Sequence, residues 1–350
     1  MKMGSFVFIA LVIFVILYMI CSSGMVLADC HKGPRCTVTR VHRLKAADCF
    51  QRDFKQFPKC LSTDVEVIEL TSNRIRKINR FDLAPFSYLQ FLYLQDNLIF
   101  KIDDDVFYDM NSLRTLDLSV NAITKLPTAI FQLPSLRTLY LSQNVNMNII
   151  DALDSAKPIR SPLEKVDISY TTDEDNINKF PDFGPVPYLI LLNITGNQYV
   201  TMTRKNLVGF CNLQILANDN VTTGFEEACE CVRINQMLTF FNVKFTPFIC
   251  SVAESDCPNL PYTKEEREIL QQCKEIVETW ERKYMMWKLS VGLGVIAAIS
   301  VLSLLLYCLA CRKKCAKRQL PVNETGPKKP PDNIGLLNNQ ATAVANEYAL

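Results

Sequence analysis

The stretch that decides the fold is "LQFLYLQDNLIFKI", residues 89–102. Leucine stands at 89, 92 and 94, and asparagine at 97. The same spacing recurs at Val65, Ile68, Leu70 and Asn73, at Leu113, Leu116, Leu118 and Asn121, and at Leu136, Leu139, Leu141 and Asn144. The period is roughly 24 residues, the range of solenoid repeats. Apolar residues also follow the asparagines: Ile75 and Ile78, Ile99 and Ile102, Ile123 and Leu126. A fifth copy, Leu163, Val166 and Ile168, has Thr171 in the asparagine position. A sixth, Leu189, Leu192, Ile194 and Asn197, is complete. A seventh begins at Leu213 and Leu216 and then loses the pattern.

Residues four and six of each unit alternate inward on a short strand. The asparagine can bond backbone groups where the chain leaves the strand. One unit cannot bury its own leucines, so units stack into a solenoid with a parallel sheet on the concave face. This is the leucine-rich repeat pattern, an α/β solenoid. Outward positions three and five form columns across the sheet. One reads Val67, Phe91, Thr115, Thr138, Lys165, Leu191, Ile215. The other reads Glu69, Tyr93, Asp117, Tyr140, Asp167, Asn193, Ala217. With Arg114 and Arg137, the residues Phe91, Tyr93, Asp117 and Tyr140 make a polar and aromatic centre suited to a protein ligand. Ile190, Leu191 and Ile215 make an apolar end, either free for a ligand or covered by a neighbouring cap.

The 350 residues hold 38 Lys+Arg against 36 Asp+Glu, a formal net charge of +2. Charges are interspersed and no long basic run precedes residue 312, so nucleic acid is not an expected partner. Lys2 followed by the apolar run Phe6–Ile20 and small residues up to Ala28 reads as a signal peptide, residues 1–28. An uncleaved anchor is the alternative. A second apolar run, Leu289–Ala310, is long enough to cross a bilayer, and "RKKCAKR" at 312–318 places the C-terminal side in the cytosol. The expected plan is a single-pass type I plasma-membrane protein. It comprises a Cys-rich N-terminal cap (29–64), about seven repeats (65–223), a Cys-rich C-terminal cap (224–260), a juxtamembrane helix (261–287), a transmembrane helix (288–311) and a disordered tail (312–350).

Cysteines cluster at the two ends of the ectodomain, where disulfides are the default in an oxidising compartment. Cys30, Cys36, Cys49 and Cys60 staple the N-terminal cap, and Cys229, Cys231, Cys250 and Cys257 the C-terminal one. Cys273 lies on an amphipathic segment with Ile269, Ile276 and Trp280, begun by Thr263 as N-cap with Glu266 three residues on. It pairs with Cys211, pairs within the cap, or bridges two chains as a disulfide-linked dimer. Asn193 and Asn220 begin glycosylation sequons; Asn323 matches too but falls on the cytosolic side. Cys308, Cys311 and Cys315 at the inner boundary are palmitoylation candidates. Ser290, Gly294 and Ala298 are small residues four apart, a helix-approach spacing. The C-terminal "EYAL" could enter a groove that captures a free carboxylate.

Catalysis is not expected. Only His31 and His42 are present, and no nucleophile–base spacing, metal cluster or phosphate loop appears, so no cofactor or metal is expected. The acidic runs at 103–105 and 171–176 read as solvated loop charge.

The "EEACECVRINQMLTFFNVKFTPFICSVAESDC" segment resembles the C-terminal cap of extracellular leucine-rich repeat proteins. That resemblance implies pairing of 229 with 250 and 231 with 257. "FDLAPFSYLQFLYLQDN", residues 81–97, resembles the early repeats of mosquito leucine-rich repeat immune proteins. Members of that family act in disulfide-linked complexes that hold complement-like proteins, and the transmembrane members are the nearest in plan. The resemblance implies a receptor or co-receptor in innate immune recognition, taking an extracellular protein ligand or humoral immune factor. The alternative is an adhesion or developmental receptor subunit that binds a neighbouring membrane protein.

Overall fold

The computed structural model describes residues 35–145, 147–172, 179–258 and 260–317. Cys30, the signal-peptide region, residues 173–178 of the second acidic run, Asn323 and the C-terminal tetrapeptide lie outside them. Two compact units divide between Lys283 and Tyr284.

The strands are β1 (Thr37–Val41), β2 (Leu44–Asp48), β3 (Val67–Glu69), β4 (Lys77–Ile78), β5 (Phe91–Tyr93), β6 (Lys101–Ile102) and β7 (Thr115–Asp117). They continue as β8 (Thr138–Tyr140), β9 (Lys165–Asp167), β10 (Leu191–Asn193), β11 (Gln198–Tyr199), β12 (Ile215–Ala217) and β13 (Thr222–Thr223). The helices are α1 (Arg80–Leu83), α2 (Ile149–Ala156), α3 (Arg204–Val208), α4 (Ala228–Phe240) and α5 (Lys264–Lys317).

The main sheet has nine strands in the order β1-β2-β3-β5-β7-β8-β9-β10-β12. All seven repeat strands run parallel in the register that the leucine spacing demands, with Ile68 beside Leu92, Leu116 beside Leu139, and Leu192 beside Leu216. Their inward side chains are at most 1% exposed. The N-terminal cap is itself part of the sheet. β1 and β2 form an antiparallel hairpin, and β2 then pairs parallel with β3, placing Ala47 beside Ile68. The polar outer strand β1 thereby shields the first buried leucines, as a capping strand must.

The seventh repeat keeps its strand although its sequence pattern lapses. Asn218 takes the inward place of a leucine there. It survives burial because its side chain accepts the Thr246 N–H at 2.9 Å and donates to the Thr246 carbonyl at 2.7 Å. Lys244 adds an isolated parallel bridge beside Ile215. The C-terminal cap thus extends the sheet edge without covering Ile215, which is 37% exposed.

One expectation about the cysteines is corrected, and one open choice is decided. The C-terminal cap pairs Cys229 with Cys257 and Cys231 with Cys250. Residues two apart on α4 point about 200° from each other. Cys231 therefore faces the core beside Phe248, while Cys229 looks outward to Cys257. Cys273 does not bridge two chains: it is fully buried and bonded to Cys211 of its own chain. In the N-terminal cap Cys36 pairs with Cys49, and Cys60 is also disulfide-bonded.

Helix α5 is continuous where two helices were expected. No proline interrupts residues 264–317, and the capping box at its start leaves no second start signal further along. Among the described residues it is the one helix long and apolar enough to cross a membrane, by length and composition.

Candidate functional site

The concave surface is built by position five of each strand. Register sets Glu69, Tyr93, Asp117, Tyr140, Asp167 and Asn193 on six neighbouring strands, about 4.8 Å apart per step. Carboxylates alternate with phenols. Each acid also holds its own turn: Glu69 accepts the Thr71 N–H at 2.8 Å, Asp117 that of Ser119 and Asp167 that of Ser169, both at 2.9 Å. This turn-holding role was not anticipated. Acidic residues two before a small polar residue at the strand exit are its signal in the sequence.

Burial pushes the Asp117 carboxyl above its ordinary value; the Ser119 bonds act against this and the like charge of Asp167 adds to it. Burial, then the neighbouring carboxylates, also raise the Tyr93 and Tyr140 phenols. Both tyrosines are therefore neutral donors at physiological pH.

Of the other expected ligand contacts, Phe91 flanks this column half-buried, and Arg114 and Arg137 stand exposed one residue before the strands. Arg137 is engaged by Glu164 of the next repeat. Leu191 and Ile215 lie side by side in register at the C-terminal end of the sheet, apart from the tyrosine centre. The Asn193 side chain donates to Asp167 at 3.1 Å and accepts the Thr195 N–H at 3.1 Å, so its amide belongs to the ladder. Asn220 is exposed at a left-handed turn. Cys308 and Cys311 are exposed and unpaired on α5, and Cys315 follows near its end.

A second polar centre ties α5 to the last repeats. The Arg204 guanidinium meets Glu266 at 2.8 and 2.9 Å and reaches the carbonyls of Leu260 and Pro261 at 3.3 Å. It also lies 4.5 Å from the Tyr262 ring centre. Both charged residues are buried. Burial works against the Arg204 charge, but Glu266 more than offsets this and raises its pKa. Glu266 and Thr263 also form the expected reciprocal cap, with bonds of 2.7 and 3.2 Å. The sequence shows that cap but not its partner 62 residues away.

The leucine rich repeat family model matches residues 87–145. The chain carries leucine-rich repeats. Tsukushi-A of Xenopus laevis is 29% identical over 180 residues, 49% of this chain and 50% of that protein. The platelet glycoprotein Ib alpha chain of Mus musculus is 25% identical over 37% of this chain and 18% of its own length. The chain thus spans half or less of these relatives. The crystal structure of human 5T4 (trophoblast glycoprotein) is 18% identical and covers 65% of this chain and 94% of that one, with a TM-score of 0.44.

Proposed function

We propose that this is a membrane-anchored binding protein of the cell surface, not an enzyme, that holds an extracellular protein ligand on its concave ladder. The observation that carries this reading is the column Glu69–Tyr93–Asp117–Tyr140–Asp167, which lines up neutral phenol donors and carboxylates on five adjacent strands. Aromatic and charged side chains on a rigid frame bind at low entropic cost. The finer reading is a type I receptor or co-receptor in innate immune recognition, supported by the likeness of residues 81–97 to mosquito immune repeat proteins. In this reading Asn193 and Asn220 carry glycans. A glycan on Asn193 replaces one of its two amide hydrogens and confines the ligand to the first four repeats. Cys308, Cys311 and Cys315 are the lipidation sites.

The test is capture of partners by the full-length protein in lipid nanodiscs, from body fluid and from solubilised cell surface separately. A soluble immune factor or microbial component supports the recognition role. Recovery of only a membrane neighbour replaces it with adhesion. Tyr93→Ala/Tyr140→Ala should weaken capture of the same partner at least roughly tenfold with surface expression unchanged; equal capture moves the ligand off the concave centre.

A further inference from the structure

One large cleft of the molecule is not on the concave face. It has a volume of ≈ 1410 Å³ and lies between the cap loop 55–63 and the first repeats. That exceeds the roughly 300–1,000 Å³ of a small-molecule pocket. Phe57 and Phe86 pack with ring centres 6.1 Å apart and are among its lining residues. Lys77 and Phe100 follow the asparagine turns at 73 and 97, so the cleft sits off the concave strands.

Its walls carry Lys55, Lys59, Arg76 and Lys77, all exposed. Two carboxylates also line it, and the Lys59 charge acts on one of them, Asp82. Asp82 caps α1 by accepting the Asn79 N–H at 2.7 Å, and Asp103 lies 3.9 Å from Lys101. Nearby cations outside the cleft are neutralised: Arg74 by Asp53 at 2.8 Å, and Arg80 by Asp105 and Lys125 by Asp104, both at 3.2 Å. Among the described residues the four cleft cations make no ion pair. Two phenylalanines stand among them, Phe81 at 85% and Phe100 at 47% exposed, with Lys77 Nζ 5.5 Å from the Phe100 ring centre.

Cations with no ion pair among the described residues, beside exposed rings, ask for a ligand that brings carboxylates and apolar groups together. We propose that this cleft is a second binding site, for an acidic peptide segment of an extracellular protein with apolar side chains between its carboxylates. A uniformly anionic polysaccharide fits less well. It leaves Phe81 and Phe100 in water.

The probe is a fluorescein-labelled peptide in which glutamate alternates with leucine and phenylalanine, titrated onto the full-length protein in nanodiscs. A lysine-for-glutamate peptide and heparin serve as comparisons. Lys55→Glu/Lys59→Glu/Arg76→Glu/Lys77→Glu and, separately, Phe81→Ser/Phe100→Ser should each weaken peptide binding roughly tenfold or more. Tyr93→Ala/Tyr140→Ala should leave it unchanged. Screening by about 0.5 M salt should weaken binding to the wild type. If the charge-reversed protein does not reach the surface, the phenylalanine pair decides. Undiminished binding in the variants overturns the proposal, as does equal binding of the lysine peptide or loss confined to the Tyr93/Tyr140 variant. Binding of heparin alone makes the cleft a polysaccharide site and also overturns it.

Discussion

Asn144 shows how one side chain can join two repeats. It is fully buried. Its amide donates to Leu141 O at 2.8 Å in its own turn and to Leu118 O at 2.9 Å in the repeat before, and its oxygen accepts the Ile123 N–H at 3.1 Å. Asn97 and Asn121 repeat the arrangement in earlier units. The asparagine is thus a staple between neighbours as well as a turn residue. Asn144→Ala strands two carbonyls and one N–H away from water, and each buried unsatisfied group costs about 1–3 kcal/mol, partly relieved by relaxation. Thermal or urea unfolding should show a loss of about 2–4 kcal/mol. A loss below about 0.5 kcal/mol would mean that the turn holds itself. In the fifth repeat, where threonine replaces asparagine, the staple is completed from the other side. Asn197 accepts the Thr171 N–H at 2.8 Å, and Thr171 itself bonds Ile168 O at 2.8 Å.

At the scale of the element, the repeat strands are only three residues long, so each outward side chain is close to a strand exit. This is why the concave acids can hold a turn and still line the concave surface. Asp117 is held above the ordinary aspartate value of about 3.9. Its protonated form is thus favoured by folding. The stabilisation it offers is full below the ordinary value and is lost as pH rises through the folded one. At neutral pH the charge is therefore a standing cost. Asp117→Asn keeps the acceptor for the Ser119 N–H and removes the charge. Its melting temperature should exceed that of the wild type at pH 7, and the difference should shrink toward about pH 4. A constant difference across that range would assign the gain to something other than titration.

At the scale of the whole molecule, the start of the juxtamembrane helix is tied to the last repeats. Cys211–Cys273 and the buried Arg204–Glu266 pair both cross a gap of 62 residues. Cys273 is therefore unavailable to a second chain. A non-reducing gel of the wild-type protein should show no covalent dimer through this residue. Cys211→Ser/Cys273→Ser should cost about 2–5 kcal/mol and open residues 264–283 to proteolysis. A disulfide-linked dimer that vanishes in this variant would contradict the structure.

By itself the sequence determined the solenoid, the seven strands, the inward leucines, the outward columns and the helix cap at Thr263. Each rests on residues within about one repeat of each other, where strand alternation and turn chemistry act locally. What needed the tertiary structure joins residues that no period relates. The pairing of Cys229 and Cys231 depends on which side of α4 faces the core. The Arg204–Glu266 pair depends on where α5 docks. The left-handed turn residue after each strand is Ser72, Asp96, Val120, Gln143, Tyr170, Gly196 and Asn220; only the last two are types that favour this conformation, so in the other five the stacked ladder imposes it. The basic cleft appears only when the cap loop folds back over the first repeats. Its lysines and phenylalanines are ordinary along the chain and become a surface by long-range packing alone.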